Sequence, residues 1–215
     1  MDNIVVTIAR HFGSGGKTIG EMLANDLGIN WYERDIIKMA SEDSGISELL
    51  FNQADEKLSR TPLFFGKAKA EYKGKLISPK SDDFVSDQNL FNYQAKIMRE
   101  LAEKESCVII GRASDYVLKD YPNVVRVFVH ASKEYCIQQA KERASYIGKD
   151  YDKFIEKTDK FRGDYYRYYT GQEWTDARNY DLCLNSERLG FEGTMEAIKD
   201  YIVRRFGALP EGYLK

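Results

Sequence analysis

The stretch Asn3-Ile4-Val5-Val6-Thr7-Ile8-Ala9-Arg10-His11-Phe12-Gly13-Ser14-Gly15-Gly16-Lys17-Thr18 decides how this chain is read. An apolar run, about 3–9, predicts a strand, and it empties into a glycine-rich turn that passes through Lys17 and Thr18 into an amphipathic helix. Backbone N–H groups left unpaired at a helix N-terminus, reinforced by the helix dipole, make such a turn a phosphate site. A lysine placed directly after the turn adds a positive charge that can reach phosphate, and the hydroxyl after it can hold Mg²⁺. The pattern G-x-x-x-x-G-K-[ST] is met except at its first glycine, where His11 stands. Histidine tolerates the left-handed backbone better than most residues, so the loop either turns there or passes His11 in an unstrained turn. His11, Gly13, Ser14, Gly15, Gly16, Lys17 and Thr18 are the expected cradle, with Thr18 the expected metal ligand. The competing reading is a flexible glycine turn that merely ends a strand.

Composition narrows the class. The chain has 215 residues, enough for the core of one domain, and 32 Lys+Arg against 34 Asp+Glu give a formal net charge of −2. No global field therefore steers it toward nucleic acid or a membrane surface. No apolar run approaches the ~18–20 residues that a membrane helix needs, and no basic segment followed by an apolar stretch precedes the first strand. The expected compartment is the cytoplasm. Cys107, Cys136 and Cys183 are odd in number and far apart, and they read as small buried residues of a reducing environment.

Outward from the loop, strands and helices alternate. The first helix runs from Lys17 to about Leu27 and stops at Gly28. A short strand follows at 30–32, then helical patterns at 33–41 and 47–58. A long helix starts near Ser86 or Asp87, then come a strand at 107–110, another at 124–129, and helices at 132–146 and 151–169. A strand at 181–184 and a helix at 191–206 complete the pattern. Near-continuous apolar strands separated by helices point to a parallel sheet covered on both faces, an α/β fold of three layers. Residues 60–83 break the pattern: they hold Lys67, Lys69, Lys73, Lys75 and Lys80, two glycines and two prolines without a clear period. Such a stretch is either a solvated, mobile insertion or a lid over a substrate.

Five segments in order carry a resemblance: Ile8–Thr18, Trp31–Ile37, Val108–Tyr116, Lys157–Arg162 with Tyr165–Gly171, and Tyr180–Ser186. Together they resemble the cytidylate kinase-like family of P-loop nucleoside monophosphate kinases. The resemblance implies a single kinase domain over 1–215, with a five-stranded parallel sheet of order 2-3-1-4-5. It further implies an acceptor-binding region at about 33–85, a helical lid at about 147–178, and phosphoryl transfer from ATP.

The chemistry expected of such a site is positioning and charge neutralisation. Lys17 is expected to bridge β- and γ-phosphate oxygens. Asp35 and Asp115, with Glu33 behind them, are candidate carboxylates for the metal's water or the attacking group; each is equally a helix N-terminal acid favoured by the dipole. Arg112 follows an apolar strand at the edge where open α/β sheets bind ligands, and its planar fork suits an acceptor phosphate. Arg34 is a weaker candidate for the same task. On the helix at 151–169, Phe154, Thr158, Phe161, Tyr165 and Tyr168 mark the expected apolar face, with Arg162 and Asp159 on its border. Arg162 falls on the family's Asp-x-x-Arg pattern, which implies an arginine finger that Asp159 orients at i,i+3. Arg143 either joins the phosphate clamp or caps its own helix. The reading is a MgATP-dependent kinase whose partners are small nucleotides, the acceptor a nucleoside monophosphate such as CMP. Left open beside it are a P-loop kinase for another small acceptor and a regulatory protein that binds nucleotide without turnover.

Overall fold

The sheet is built around β1 (Val5–Arg10), which is buried along all but its last residue and pairs in parallel with β3 (Cys107–Ile110) on one side and β4 (Val124–His130) on the other. The computed structural model describes residues 3–60, 74–143, 148 and 150–210, the side chains of 56–60 excepted. β2 (Asn30–Tyr32) and β5 (Leu182–Asn185) form the two edges, and the order β2-β3-β1-β4-β5 is the expected one.

Strand alternation sorts the core into two layers. Ile4, Val6 and Ile8 face one way and pack with Ile19 and Leu23 of α1 (Gly16–Leu27) and Ile198 and Ile202 of α8 (Ser186–Phe206). Val5 and Ala9 face the other way, in a cluster with α2 (Asp35–Ser44), α3 (Glu48–Arg60), α4 (Asp87–Lys104) and α7 (Tyr151–Thr170). The short α5 (Ser114–Val117) joins this second layer, and α6 (Lys133–Glu142) forms a small cluster with α7 through Cys136, Ala140 and Ile155. Helix ends follow local chemistry: Ser86, Ser132 and Asp150 accept N-terminal amides of α4, α6 and α7, and Gly28 ends α1 at φ 65°.

Several expectations shift. The last helix begins at Ser186 rather than 191 and kinks at Gly190. Cys107 and Cys136 are buried as expected, but Cys183 is exposed, because β5 is an edge strand with one face uncovered. On α7 the buried residues are Ile155, Tyr165, Tyr166, Tyr169 and Thr170, a stripe rotated from the expected one and sharing only Tyr165 with it; Phe154, Thr158, Phe161 and Tyr168 are only partly covered. That rotation turns Asp159 and Arg162, which share the helical row of Ile155, Tyr166 and Tyr169, inward. Lys67, Lys69 and Lys73 lie outside the described residues. The described end of that segment, 74–83, is strapped along α4: Asn89 accepts from the Ile77 amide at 2.8 Å and Asn92 donates to the Lys75 carbonyl at 2.7 Å. Lys75 and Lys80 are exposed.

Candidate active site

The phosphate loop turns at Gly13 and Gly15, both at φ 82°, while Arg112 and Ala113 are the only non-glycine residues with positive φ among the described residues. His11 therefore sits in the unstrained turn. Its ring packs edge-on against Phe128 and Trp174 at 5.1 and 5.5 Å, and burial, with the charges of His130 and Arg162, lowers its pKa and favours the neutral form. A Cβ at Gly13 would overlap the Cys136 backbone, so this turn excludes larger residues on steric as well as conformational grounds. α1 starts at Gly16, so the free amides of its first turn open into a cavity of about 400 Å³ lined by His11, Gly13, Gly15, Gly16, Lys17 and Thr18. Ser14 departs from expectation. Its side chain is buried and donates to the His11 and Val129 carbonyls at 3.0 and 3.1 Å, outside the cavity lining.

Lys17 is held at 2.8 Å by the Glu33 carboxylate, which also receives Arg10 at 2.5 Å. Burial alone would raise Glu33, but Lys17 and Arg10 outweigh it and hold the carboxyl below its usual range. Arg143 is both the C-cap residue of α6 and a reach across to the loop, donating to the Thr18 hydroxyl at 2.7 Å with its guanidinium over Phe191. Among the described residues no cluster of three His, Cys, Asp or Glu is placed to hold a metal ion. A Mg²⁺ would fit here with Thr18, phosphate oxygens and water as ligands, as this cation prefers.

A second cavity, about 170 Å³, opens at the carboxyl edge of β3 and is walled by Phe161, Tyr165, Tyr166 and Trp174. Arg112 and Asp115 both line it. Arg112 is paired with the Asp55 carboxylate of α3. Burial opposes the Arg112 charge, but Asp55 outweighs it and the net shift is upward. Asp115 is buried and accepts from the Tyr166 hydroxyl at 2.7 Å. Asp35 is not brought to either cavity; it is exposed in the first turn of α2, where the dipole suffices to explain an acid.

Four side chains line both cavities: Arg10, Glu33, Arg34 and Arg162. Arg162 donates to the Arg10 carbonyl at 2.9 Å and lies 3.4 Å from Asp159, and its guanidinium covers Phe12. Asp159 in turn accepts from the Phe12 amide at 2.7 Å, so α7 is latched to the loop through one carboxylate. Burial lowers Arg162 and pushes Asp159 up to about 6 against the pull of Arg162. Arg10, Asp55, Trp174 and Phe191 escaped the sequence reading. Only Arg10 offered a signal, as a charged residue ending a buried strand at the ligand edge of the sheet.

Burial pushes Asp115 up from 3.8 to about 6, outweighing its hydrogen bond with Tyr166. A folded-state value above the unfolded one contributes stability that is complete below about pH 4 and lost as pH rises through about 6. Asp115→Asn keeps an acceptor for Tyr166 and removes the charge. It is expected to raise unfolding stability at pH 8 by up to about 2–3 kcal/mol and to give little at pH 4. Urea unfolding at both pH values checks this; an equal effect at the two would contradict the buried-charge account.

The profile of the cytidylate kinase-like family matches residues 5–188. Comparison with curated protein sequences returns no significant match. Among solved structures, an uncharacterized protein from Eubacterium ventriosum is 26% identical with a TM-score of 0.65, over 93% of this chain and 98% of that one. A shikimate kinase from Bacteroides thetaiotaomicron shares 12% identity at a TM-score of 0.53, over 93% and 98% of the two chains. A gluconokinase from Sinorhizobium meliloti shares 14% at 0.50, over 95% and 98%. The last two likenesses bear on the fold, that of P-loop kinases. No helix among the described residues is long and apolar enough to cross a membrane. With a phosphate loop and a matching stretch of 184 residues in the same chain, this protein belongs to the cytidylate kinase-like family.

Proposed function

We propose that the protein transfers the γ-phosphoryl group of MgATP to a nucleoside monophosphate, with a pyrimidine nucleotide such as CMP as the leading acceptor. The observation that carries this reading is the pair of adjoining cavities with a common wall of three arginines and a glutamate. One cavity suits a nucleotide's phosphates, the other a flat ring between aromatic walls, and the shared wall is where a group would pass between them.

In this mechanism an oxygen of the acceptor phosphate attacks the γ-phosphorus, the bond to the β,γ-bridging oxygen breaks, and ADP leaves. A bound Mg²⁺ would supply charge neutralisation on the phosphate oxygens. Lys17, with donors to spare beyond its bond to Glu33, follows the charge on the β- and γ-oxygens, and Arg143 and Thr18 border the same cavity. Arg162 faces the shared wall, oriented from behind by Asp159. Arg34 and Arg112 are the acceptor-side cations, and Asp115 lies deeper in that pocket. A nucleotide binder without turnover would have no use for a second cavity on the far side of these arginines.

One observation favours a second reading. The Arg112 fork is already engaged by Asp55, so this end of the pocket offers an acceptor as well as donors and would suit a hydroxylated, phosphate-free substrate. An ADP-release assay across nucleoside monophosphates, the free nucleosides and small polyhydroxy acids separates the two. The expected result is turnover with a pyrimidine monophosphate at least about 100-fold above its nucleoside, since the three arginines of the shared wall outnumber its one carboxylate and a nucleoside brings them no charge. Equal turnover of a phosphate-free compound would overturn the nucleotide reading in favour of the second.

A further inference from the structure

We propose that Arg10 is a catalytic residue whose guanidinium contacts the phosphoryl group in transit, and that Glu33 positions it together with Lys17; this rests on the kinase reading above. Arg10 ends the central strand β1, so its backbone is among the most firmly placed in the molecule. Its head lies in the wall common to both cavities. The side chain is only 14% exposed, yet among the described residues the guanidinium makes one hydrogen bond, to Glu33. An arginine that served only to brace the fold would spread its five N–H donors over several acceptors. Here the remaining donors have no partner among the described residues and open toward the cavities, where an entering anion can meet them. Burial, with Arg162 and Arg112 nearby, pushes Arg10 down to about 9, and Glu33 offsets only part of this.

Charge and shape agree with that reading. Three guanidiniums in the shared wall face one carboxylate, and that carboxylate is divided between Arg10 and Lys17. Adding Lys17 and the Asp159 behind Arg162 leaves four cations against two carboxylates, an excess that a dianionic phosphoryl group would balance. Because Glu33 holds Arg10 by one oxygen and Lys17 by the other, the two cations stand side by side at the spacing of a single carboxylate. Room for the guanidinium is kept by Gly111 at the end of β3: a Cβ there would overlap the Arg10 Nη1. Arg162 is fixed to the Arg10 carbonyl, so finger and strand end move as one.

The test needs no acceptor. Calorimetry of the wild type, Arg10→Lys and Glu33→Gln with Mg²⁺ and either ADP or a non-hydrolysable ATP analogue reads the affinity increment of the γ-phosphoryl group. The wild type is expected to prefer the triphosphate, and Arg10→Lys to lose about tenfold or more of that preference while its ADP affinity stays within about threefold. Glu33→Gln is expected to lose a smaller part of it, again without loss of ADP affinity. Arg10→Gln, whose amide can still donate to Glu33, replaces Arg10→Lys if the latter does not fold. A wild type with no triphosphate preference, or a variant with an unchanged one, would overturn the assignment and leave the kinase reading standing. Failure of the wild type to bind either nucleotide overturns both.

Discussion

Lys17→Ala is expected to lower kcat/KM for MgATP by two or more orders of magnitude, roughly 3 kcal/mol at one decade per 1.36 kcal/mol. The ammonium is half-exposed and, without nucleotide, held by Glu33. Such a pair contributes about 1 kcal/mol or less to folding, so the variant should unfold within a few degrees of the wild type. The bond to Glu33 leaves the ammonium two further donors for a phosphate, so the lost energy is expected to be lost from the ligand, not from the fold. Calorimetry with MgATP and an ADP-release assay measure both sides. Unchanged MgATP affinity together with unchanged turnover would remove the phosphate-loop assignment.

Arg162→Ala is expected to show the larger effect on the chemical step, a fall in kcat of about 10³-fold with a change in MgATP Kd of less than about fivefold. The guanidinium is placed before any ligand arrives, by the Arg10 carbonyl and by Asp159. Its full value is expected only when charge spreads over the transferring group, which is why kcat rather than Kd should carry the loss. Truncation also leaves the half-buried Asp159 without its cation, so a stability loss of about 1 kcal/mol or less should accompany it. Equal losses in Kd and kcat would make Arg162 a ground-state contact instead of a finger.

The central strands, the glycine loop and the long helices were legible because each is a local pattern: a β-branched run, a turn chemistry, a cap such as Ser86 or Ser132. The order of the sheet followed from the resemblance of five segments, not from any one of them. What escaped the sequence depended on contacts between distant segments. Asp55 meets Arg112 across 57 residues, and Phe12 meets Asp159 across 147, separations at which no spacing rule operates. The α7 stripe was misjudged for a related reason. Which flank is covered depends on distant elements: Cys136 and Ala140 of α6 pack on Ile155, and the Phe91 ring stacks on Tyr169 at 4.0 Å. Of the two readings open for Asp35, a carboxylate for the metal's water or attacking group and a helix N-terminal acid, its exposed place in the first turn of α2 suits the second.

The placement of β1 also bears on how the molecule comes apart. Proteins open in pieces, and the pieces with the most shared hydrogen bonds and the least exposed surface separate last. β1 is bonded on both sides and buried, whereas β2 and β5 each have one free edge. The segment that supplies Arg10 and launches the phosphate loop therefore belongs to the most persistent unit of the structure. Opening at the β2 edge would carry Glu33 from Arg10 and Lys17, and opening at the β5 edge would carry off Ser186, which donates to the Ser14 carbonyl at 2.6 Å, so either edge can disturb the loop while β1 stays paired. Separation of β1 itself then coincides with global unfolding.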